Sequence, residues 1–204
     1  MVIETGICVC VSCVSVSDQQ PGYPRELLEN LITTTASTKG RLLHYFPLPE
    51  GKSEEGGKKD QDSWCGWHVD HCALTGLTSA MFFDKDEKEV PCPDPNAGLY
   101  IRSRGGVVHK ASIPSDCLAF QMGEVAQITS GGLLRATYHC VRGAYGENAS
   151  GVARSTLAIF MQPNYDFKLS LPTGVDPKTV EIAAWKSSDQ TFSEFSIEKN
   201  KEYY

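Results

Sequence analysis

Two kinds of hydrophobic spacing divide this chain. In Pro24-Arg25-Glu26-Leu27-Leu28-Glu29-Asn30-Leu31-Ile32 the apolar positions 27, 28, 31 and 32 recur at the period of one helical face, with a proline where a first turn tolerates it, so a helix is predicted there. The stretch Arg41 to Leu48 is rich in strand formers and stops at two prolines. From Pro49 to Ser63 apolar residues nearly vanish and an exposed loop is expected. From Trp64 onward the chain reads as short apolar or alternating runs: Trp64–Asp70, Leu77–Phe83, Leu99–Arg104, Val107–Ser112, Cys117–Met122, Val125–Thr129, Ala136–Arg142 and Arg154–Met161. Gly, Pro and Asp turns separate them, which predicts a mainly β protein, a sandwich or barrel, and argues against a parallel α/β sheet. Near the end Thr191-Phe192-Ser193-Glu194 has capping-box spacing, so a short final helix is expected.

The 204 residues amount to 22.3 kDa, with 41% hydrophobic and 22% charged residues, values that suit one soluble domain and exclude wholesale disorder. The net charge of −6, without any concentrated basic footprint, speaks against nucleic acid as a partner. Eight cysteines in no repeating module read as reduced thiols of a cytoplasmic protein. The apolar run Val2 to Val16 contains Glu4, lacks a basic lead-in, and is shorter than the roughly 20 residues a membrane helix needs. Neither a targeting signal nor a membrane span is therefore expected.

The chemistry concentrates in Trp64-Cys65-Gly66-Trp67-His68-Val69-Asp70-His71. On a strand, His68 and Asp70 share a face, while Cys65 and His71 turn to the other. That parity weighs against a zinc site built from Cys65, His71 and Cys72. Cys8, Cys10 and Cys13 have metal-like spacing in a Val-rich stretch and read more simply as filler. A His-x-Asp pair alone is a weak signal, and His139, in the strand-like run Ala136–Arg142, is the candidate that completes it. Two imidazoles and one carboxylate make the facial triad suited to non-haem Fe(II), which leaves coordination positions open for oxygen. In Arg154-Ser155-Thr156 a guanidinium and a hydroxyl share one strand face, where they could grip a carboxylate together.

His68-x-Asp70, then His139, then Arg154-x-Thr156, set in short strands in that order, resembles the Fe(II)- and 2-oxoglutarate-dependent dioxygenase superfamily, in its plant-type, isopenicillin N synthase-like branch. The runs Ala97–Ile101, Ile113–Glu124 and Phe160-Met161-Gln162-Pro163 add to the likeness, which covers roughly residues 40 to 165. The resemblance implies a double-stranded β-helix, or jelly roll, with a few flanking helices. It further implies Fe(II) on His68, Asp70 and His139, and 2-oxoglutarate as cosubstrate with its far carboxylate on Arg154 and Thr156. The implied reaction oxidises a small organic substrate, most often by hydroxylation, as 2-oxoglutarate and O2 become succinate and CO2.

Departures from the pattern set further expectations. Where relatives commonly carry Asn and then a Tyr that donates to 2-oxoglutarate, this chain has His44 and Phe46, so both become candidate pocket residues and the cosubstrate is left more dependent on Arg154 and Thr156. The chain also begins late in the N-terminal region usual for relatives, as an N-terminally truncated member would. Residues 1–23 are expected as an extension, 24–165 as the jelly-roll domain with its flanking helix, and 166–204 as a tail with a short helix. A non-catalytic, metal-binding jelly roll serving as an interaction or regulatory module is the alternative reading.

Overall fold

The computed structural model describes residues 22–24, 26–49 and 64–203. The expected N-terminal extension with Cys8, Cys10 and Cys13, and nearly all of the polar loop that follows Pro49, lie outside those residues. In chain order the described elements are helix α1 (Leu27–Thr34), strands β1 (Lys39–Tyr45), β2 (Cys65–His68), β3 (Leu74–Thr78), β4 (Met81–Phe83), β5 (Glu89–Val90), β6 (Gly98–Arg102), β7 (Val108–Lys110) and β8 (Leu118–Met122), helix α2 (Glu124–Thr129), strands β9 (Tyr138–Arg142) and β10 (Ala153–Met161), and helix α3 (Phe192–Tyr203). No helix among the described residues is long and apolar enough to cross a membrane.

Every strand pairing is antiparallel, and the strands form two sheets of a jelly roll. In the six-stranded sheet β10 is central. Strand β1 runs along one of its edges, β3 and β4 follow one another along the other, and β8 and β5 lie outside β3 and β4. The second sheet has the order β2-β9-β6-β7. A strand paired on both edges and covered on both faces should read as a nearly continuous buried run, and Ala153–Met161 does.

The apolar core lies on the outer face of the six-stranded sheet. There Leu74 and Met161 meet Leu28, Leu31 and Ile32 of α1, Val125, Ala126 and Ile128 of α2, and Phe192 and Phe195 of α3. Leu169, Val180 and Trp185, from the segment leading into α3, fill the space between, so residues 166–204 supply a large part of this core. Phe192 and Phe195 are wholly buried, each contributing about 1.5–3 kcal/mol by loss of apolar surface to water. The capping box is formed: Glu194 accepts from the Thr191 backbone N–H at 2.8 Å, and the Glu194 N–H reaches Thr191 Oγ1 at 3.3 Å.

Two expectations change. Leu77–Phe83, read as one strand, is two, β3 and β4, interrupted at Ser79-Ala80 while both continue along β10. Val125–Thr129, read as a strand, belongs to helix α2. A run this short does not separate a buried strand from a buried helix by period, and here tertiary contacts decide. The Glu124 N–H donates to the Asp70 carbonyl at 2.8 Å and the Val125 N–H to the Cys72 carbonyl at 3.2 Å, so the free amides of a first turn are satisfied by the chain just after β2. Only glycine permits this approach at 123: a Cβ there would stand 2.0 Å from the Cys72 carbonyl oxygen.

Candidate metal and cosubstrate site

His68 ends β2, Asp70 follows it, and His139 lies on β9 directly opposite His68 in the register. One ligand atom from each of the three lies within 4.8 Å of the others, the single such grouping of potential metal ligands among the described residues. The two imidazole rings are 4.2 Å apart between centroids, and His68 Nε2 is 3.8 Å from Asp70 Oδ1.

The surroundings fix which atoms are free to bind. His68 Nδ1 is 2.8 Å from the Gly66 carbonyl and His139 Nδ1 is 2.8 Å from the Thr137 carbonyl. A carbonyl only accepts, so each Nδ1 carries a proton and each Nε2 is the nitrogen left for a metal, which at His68 would take the place of a second proton. Asp70 is sorted the same way. Its Oδ2 accepts from Thr75 Oγ1 at 2.6 Å and from Gln121 Nε2 at 2.8 Å, which leaves Oδ1 toward His68. Gln121 Nε2 also stands 3.2 Å from His139 Nε2, so one amide brackets two of the three groups. Such partners orient ligands and hold their basicity. Two nitrogens and one oxygen within 4.8 Å of one another suit a divalent ion of the Fe(II) type with positions left open.

Strand parity misplaced one neighbour. The pairing of β2 with β9 shifts register between Cys65 and His68, and this irregularity brings Cys65 Sγ to 3.7 Å from His68 Nδ1 instead of turning it away. Burial pulls the His68 pKa down, but the hydrogen bond and charge of Cys65 outweigh it and, with the Gly66 carbonyl and Asp70, hold the ring at about 9. Burial dominates at His139 and lowers its pKa against the pull of Asp70. His71 does leave the site, its ring 5.9 Å from that of Phe192, and Cys72 Sγ contacts Thr75 Oγ1 at 3.1 Å. Cys65, His71 and Cys72 therefore make no common metal site.

Arg154 and Thr156 share a face of β10, as expected. Arg154 is only 5% exposed, and its Nε and Nη1 have no hydrogen-bond partner among the described residues. A buried guanidinium with idle donors costs several kcal/mol unless an anion completes it, so the group is shaped for a carboxylate that the protein does not itself supply. Thr156 Oγ1 donates to the Thr78 carbonyl at 3.1 Å.

His44 and Phe46 correct the sequence reading. The register of β1 on β10 sets Tyr45 opposite Arg154 and Leu43 opposite Thr156, which places His44 on the other face, where its Nδ1 meets Ser155 Oγ at 2.9 Å. Phe46 is 74% exposed beyond the end of the strand. The residue on the Arg154 face is Tyr45, its ring 5.3 Å from the guanidinium carbon. Burial, and then the charge of Cys65, push the Tyr45 hydroxyl above its usual pKa against the pull of Arg154, so it stays a proton donor. Asp70 acts on it in the same direction, which places Tyr45 within electrostatic reach of both the triad and Arg154. Tyr45, Thr75, Gln121 and Gly123 were not identified from sequence. Their roles depend on which strands pair and in what register, and the sequence shows only that Tyr45 alternates with His44 and Phe46.

No family model matches the chain. In sequence it is 29% identical over 131 residues to deacetoxycephalosporin C synthase of Amycolatopsis lactamdurans, 64% of this chain and 37% of that protein. It is 27% identical over 149 residues to the UPF0676 protein C1494.01 of Schizosaccharomyces pombe, 71% of this chain and 40% of that protein. In structure it superposes on a full-length Neurospora crassa protein, crystallised in complex with alpha-KG, with a TM-score of 0.60 at 18% identity, covering 89% of this chain and 49% of the other. A 2OG-Fe(II) oxygenase family protein from Caulobacter crescentus gives 0.58 at 20% identity, covering 88% and 50%. The chain thus spans half or less of the length of these relatives. Within that span its strands and their order give it the jelly-roll fold of these solved structures.

Proposed function

We propose that this chain carries the metal and cosubstrate centre of an Fe(II)- and 2-oxoglutarate-dependent dioxygenase that oxidises a small organic molecule. The ligand atoms are His68 Nε2, Asp70 Oδ1 and His139 Nε2. The distal carboxylate of 2-oxoglutarate rests on Arg154, with the Tyr45 hydroxyl as a second donor and Thr156 beside it. The observation that carries the reading is the Arg154 guanidinium, buried with two idle nitrogens, 5.3 Å from the Tyr45 ring and on the same sheet face as the Thr75 and Gln121 side chains that hold Asp70. A chance cluster of two histidines and an aspartate would not call for an unpaired cation nearby.

Fe(II) held there would supply a redox centre through which O2 takes two electrons from the oxidative decarboxylation of 2-oxoglutarate to succinate and CO2 and two from the C–H bond that becomes C–OH. The protein's own part is positional. The Gly66 and Thr137 carbonyls fix the imidazole tautomers, while Thr75 and Gln121 occupy one carboxylate oxygen of Asp70 so that the other is free. Arg154 and Tyr45 set the far end of the diacid, and with it the angle at which the near end meets the metal.

Anaerobic addition of Fe(II) and then 2-oxoglutarate should produce a visible charge-transfer band in the purified protein. His68→Ala and Asp70→Ala should abolish it, and folded, iron-loaded wild-type protein without a band would reject the reading. The non-catalytic alternative rests on the short N-terminal region and on Phe46, which is 74% exposed beyond the end of β1. It predicts a metal-bound protein with no O2-dependent release of succinate.

A further inference from the structure

Building on the oxygenase reading, we propose that the substrate is an organic anion with an apolar body, its carboxylate held by Arg41 and Lys39 toward the end of the inner sheet face opposite Arg154. The register of the six-stranded sheet carries this. Alternate residues of β1, namely Lys39, Arg41, Leu43 and Tyr45, stand opposite Phe160, Ala158, Thr156 and Arg154 of β10 and share their face. It is the face of Thr75 and Gln121, whose side chains hold Asp70, and hence the inner one. The apolar core, with all three helices, packs on the other face.

Along that inner face the cations fall into two groups. Arg154 and Tyr45 form one end, enclosed and assigned to 2-oxoglutarate. Arg41 lies four residues back along β1 from Tyr45, about 13 Å at the rise of an extended strand. Lys39, Phe160 and Thr75 form one row across three strands, so the second cationic end adjoins the residue that hydrogen-bonds Asp70. The anchor of Asp70 is therefore level with Lys39, with the exposed cations Lys39 and Arg41 toward one end of the face and buried Arg154 at the other. Neither Arg41 nor Lys39 is salt-bridged to a carboxylate among the described residues. Instead the Arg41 guanidinium lies 5.3 Å from the centre of the Phe160 ring, and Lys39 Nζ lies 5.6 Å from that of Tyr165. Phe160 holds the Arg41 charge on the inner face, while Lys39 meets Tyr165, which stacks on Phe192, at the rim of the sheet, and both cations keep donors available.

The opposite wall is apolar where it adjoins the metal. Across the second sheet His68 pairs with His139, His139 with Ile101, and Ile101 with His109, which makes a single row on one face. Ile101 is thus the first side chain beyond the ligands. A molecule reaching the metal from the open side would meet Phe160 and Ile101 along its body and Arg41 and Lys39 at its charged end.

The test compares phenylacetate with phenylacetamide, two probes of nearly equal shape that differ in charge, on the purified chain loaded with Fe(II) and saturating 2-oxoglutarate. Two readouts serve: the position of the anaerobic charge-transfer band, and the rate of succinate release in O2. The acid should perturb both at a concentration at least about tenfold lower than the amide, the expectation for one charge-assisted hydrogen-bonded pair. That preference should shrink toward unity in Arg41→Gln/Lys39→Gln and persist in Arg41→Lys. An amide as effective as the acid, or a preference unchanged in the double variant, overturns the proposal and leaves the two cations as solvated edge charges. Failure of the wild type to form the band with Fe(II) and 2-oxoglutarate alone sinks the oxygenase reading, and the anion proposal falls with it.

Discussion

The two faces of the six-stranded sheet obey different rules. Around Leu74 and Met161 its outer face is apolar and covered: these two meet three helices, and Phe192 and Phe195 are fully buried. Its inner face buries Thr75, Gln121, Arg154 and Thr156 instead, groups that gain nothing from leaving water unless each finds a partner. Thr75 and Gln121 find Asp70, whereas Arg154 keeps two nitrogens idle. Alternation along single strands therefore splits stability from chemistry residue by residue. The outer side chains hold the fold together, and the inner ones accept a cost in exchange for a site.

Substitutions on the two faces should accordingly separate in kind. Phe192→Ala, on the outer side, is expected to lower unfolding free energy by about 3–5 kcal/mol, measured by urea denaturation, because it opens a cavity among fully buried neighbours. Thr75→Val, on the inner side, removes one donor to Asp70 at almost constant volume. Metal affinity should fall roughly 10- to 100-fold in Co(II) titrations, with the melting temperature nearly unmoved. Arg154→Met should show the smallest or even an opposite effect on stability, since replacing an unpaired buried cation with an apolar side chain is neutral or favourable. The melting temperature of that variant should stay level or rise, while the stabilisation that 2-oxoglutarate gives the wild type disappears. A large loss of stability in Arg154→Met would show that the guanidinium has a structural partner and would erase the distinction between the faces.

The parts legible in the sequence were those that local pattern carries. The spacing of His68 and Asp70, the later His139 and the Arg154-x-Thr156 pair survive translation into structure, since each is a short motif on or beside a strand. Alternation in β10 and the capping box at Thr191 to Glu194 were legible for the same reason. What escaped depended on pairing. The phase of β1 against β10 decides that Tyr45 and not Phe46 faces Arg154, and no local signal sets that phase. Cys65 was assigned to the wrong face because an irregularity in β2 breaks the alternation on which the assignment rested. Helix α2 was misread because its first turn takes its hydrogen bonds from the chain after β2, more than fifty positions earlier.

Helix α3 reaches further than its place near the C-terminus suggests. Lys199 bonds Glu124 at 3.1 Å with both side chains buried, and the backbone N–H of Glu124 is the one that holds the Asp70 carbonyl. A transcript with a stop codon a dozen codons early, or a bulky fusion tag that unwinds the last turns, would strip a buried carboxylate of its ammonium one bond away from Asp70, a proposed metal ligand. Loss of iron, rather than loss of solubility alone, is how such a clipped product should betray itself.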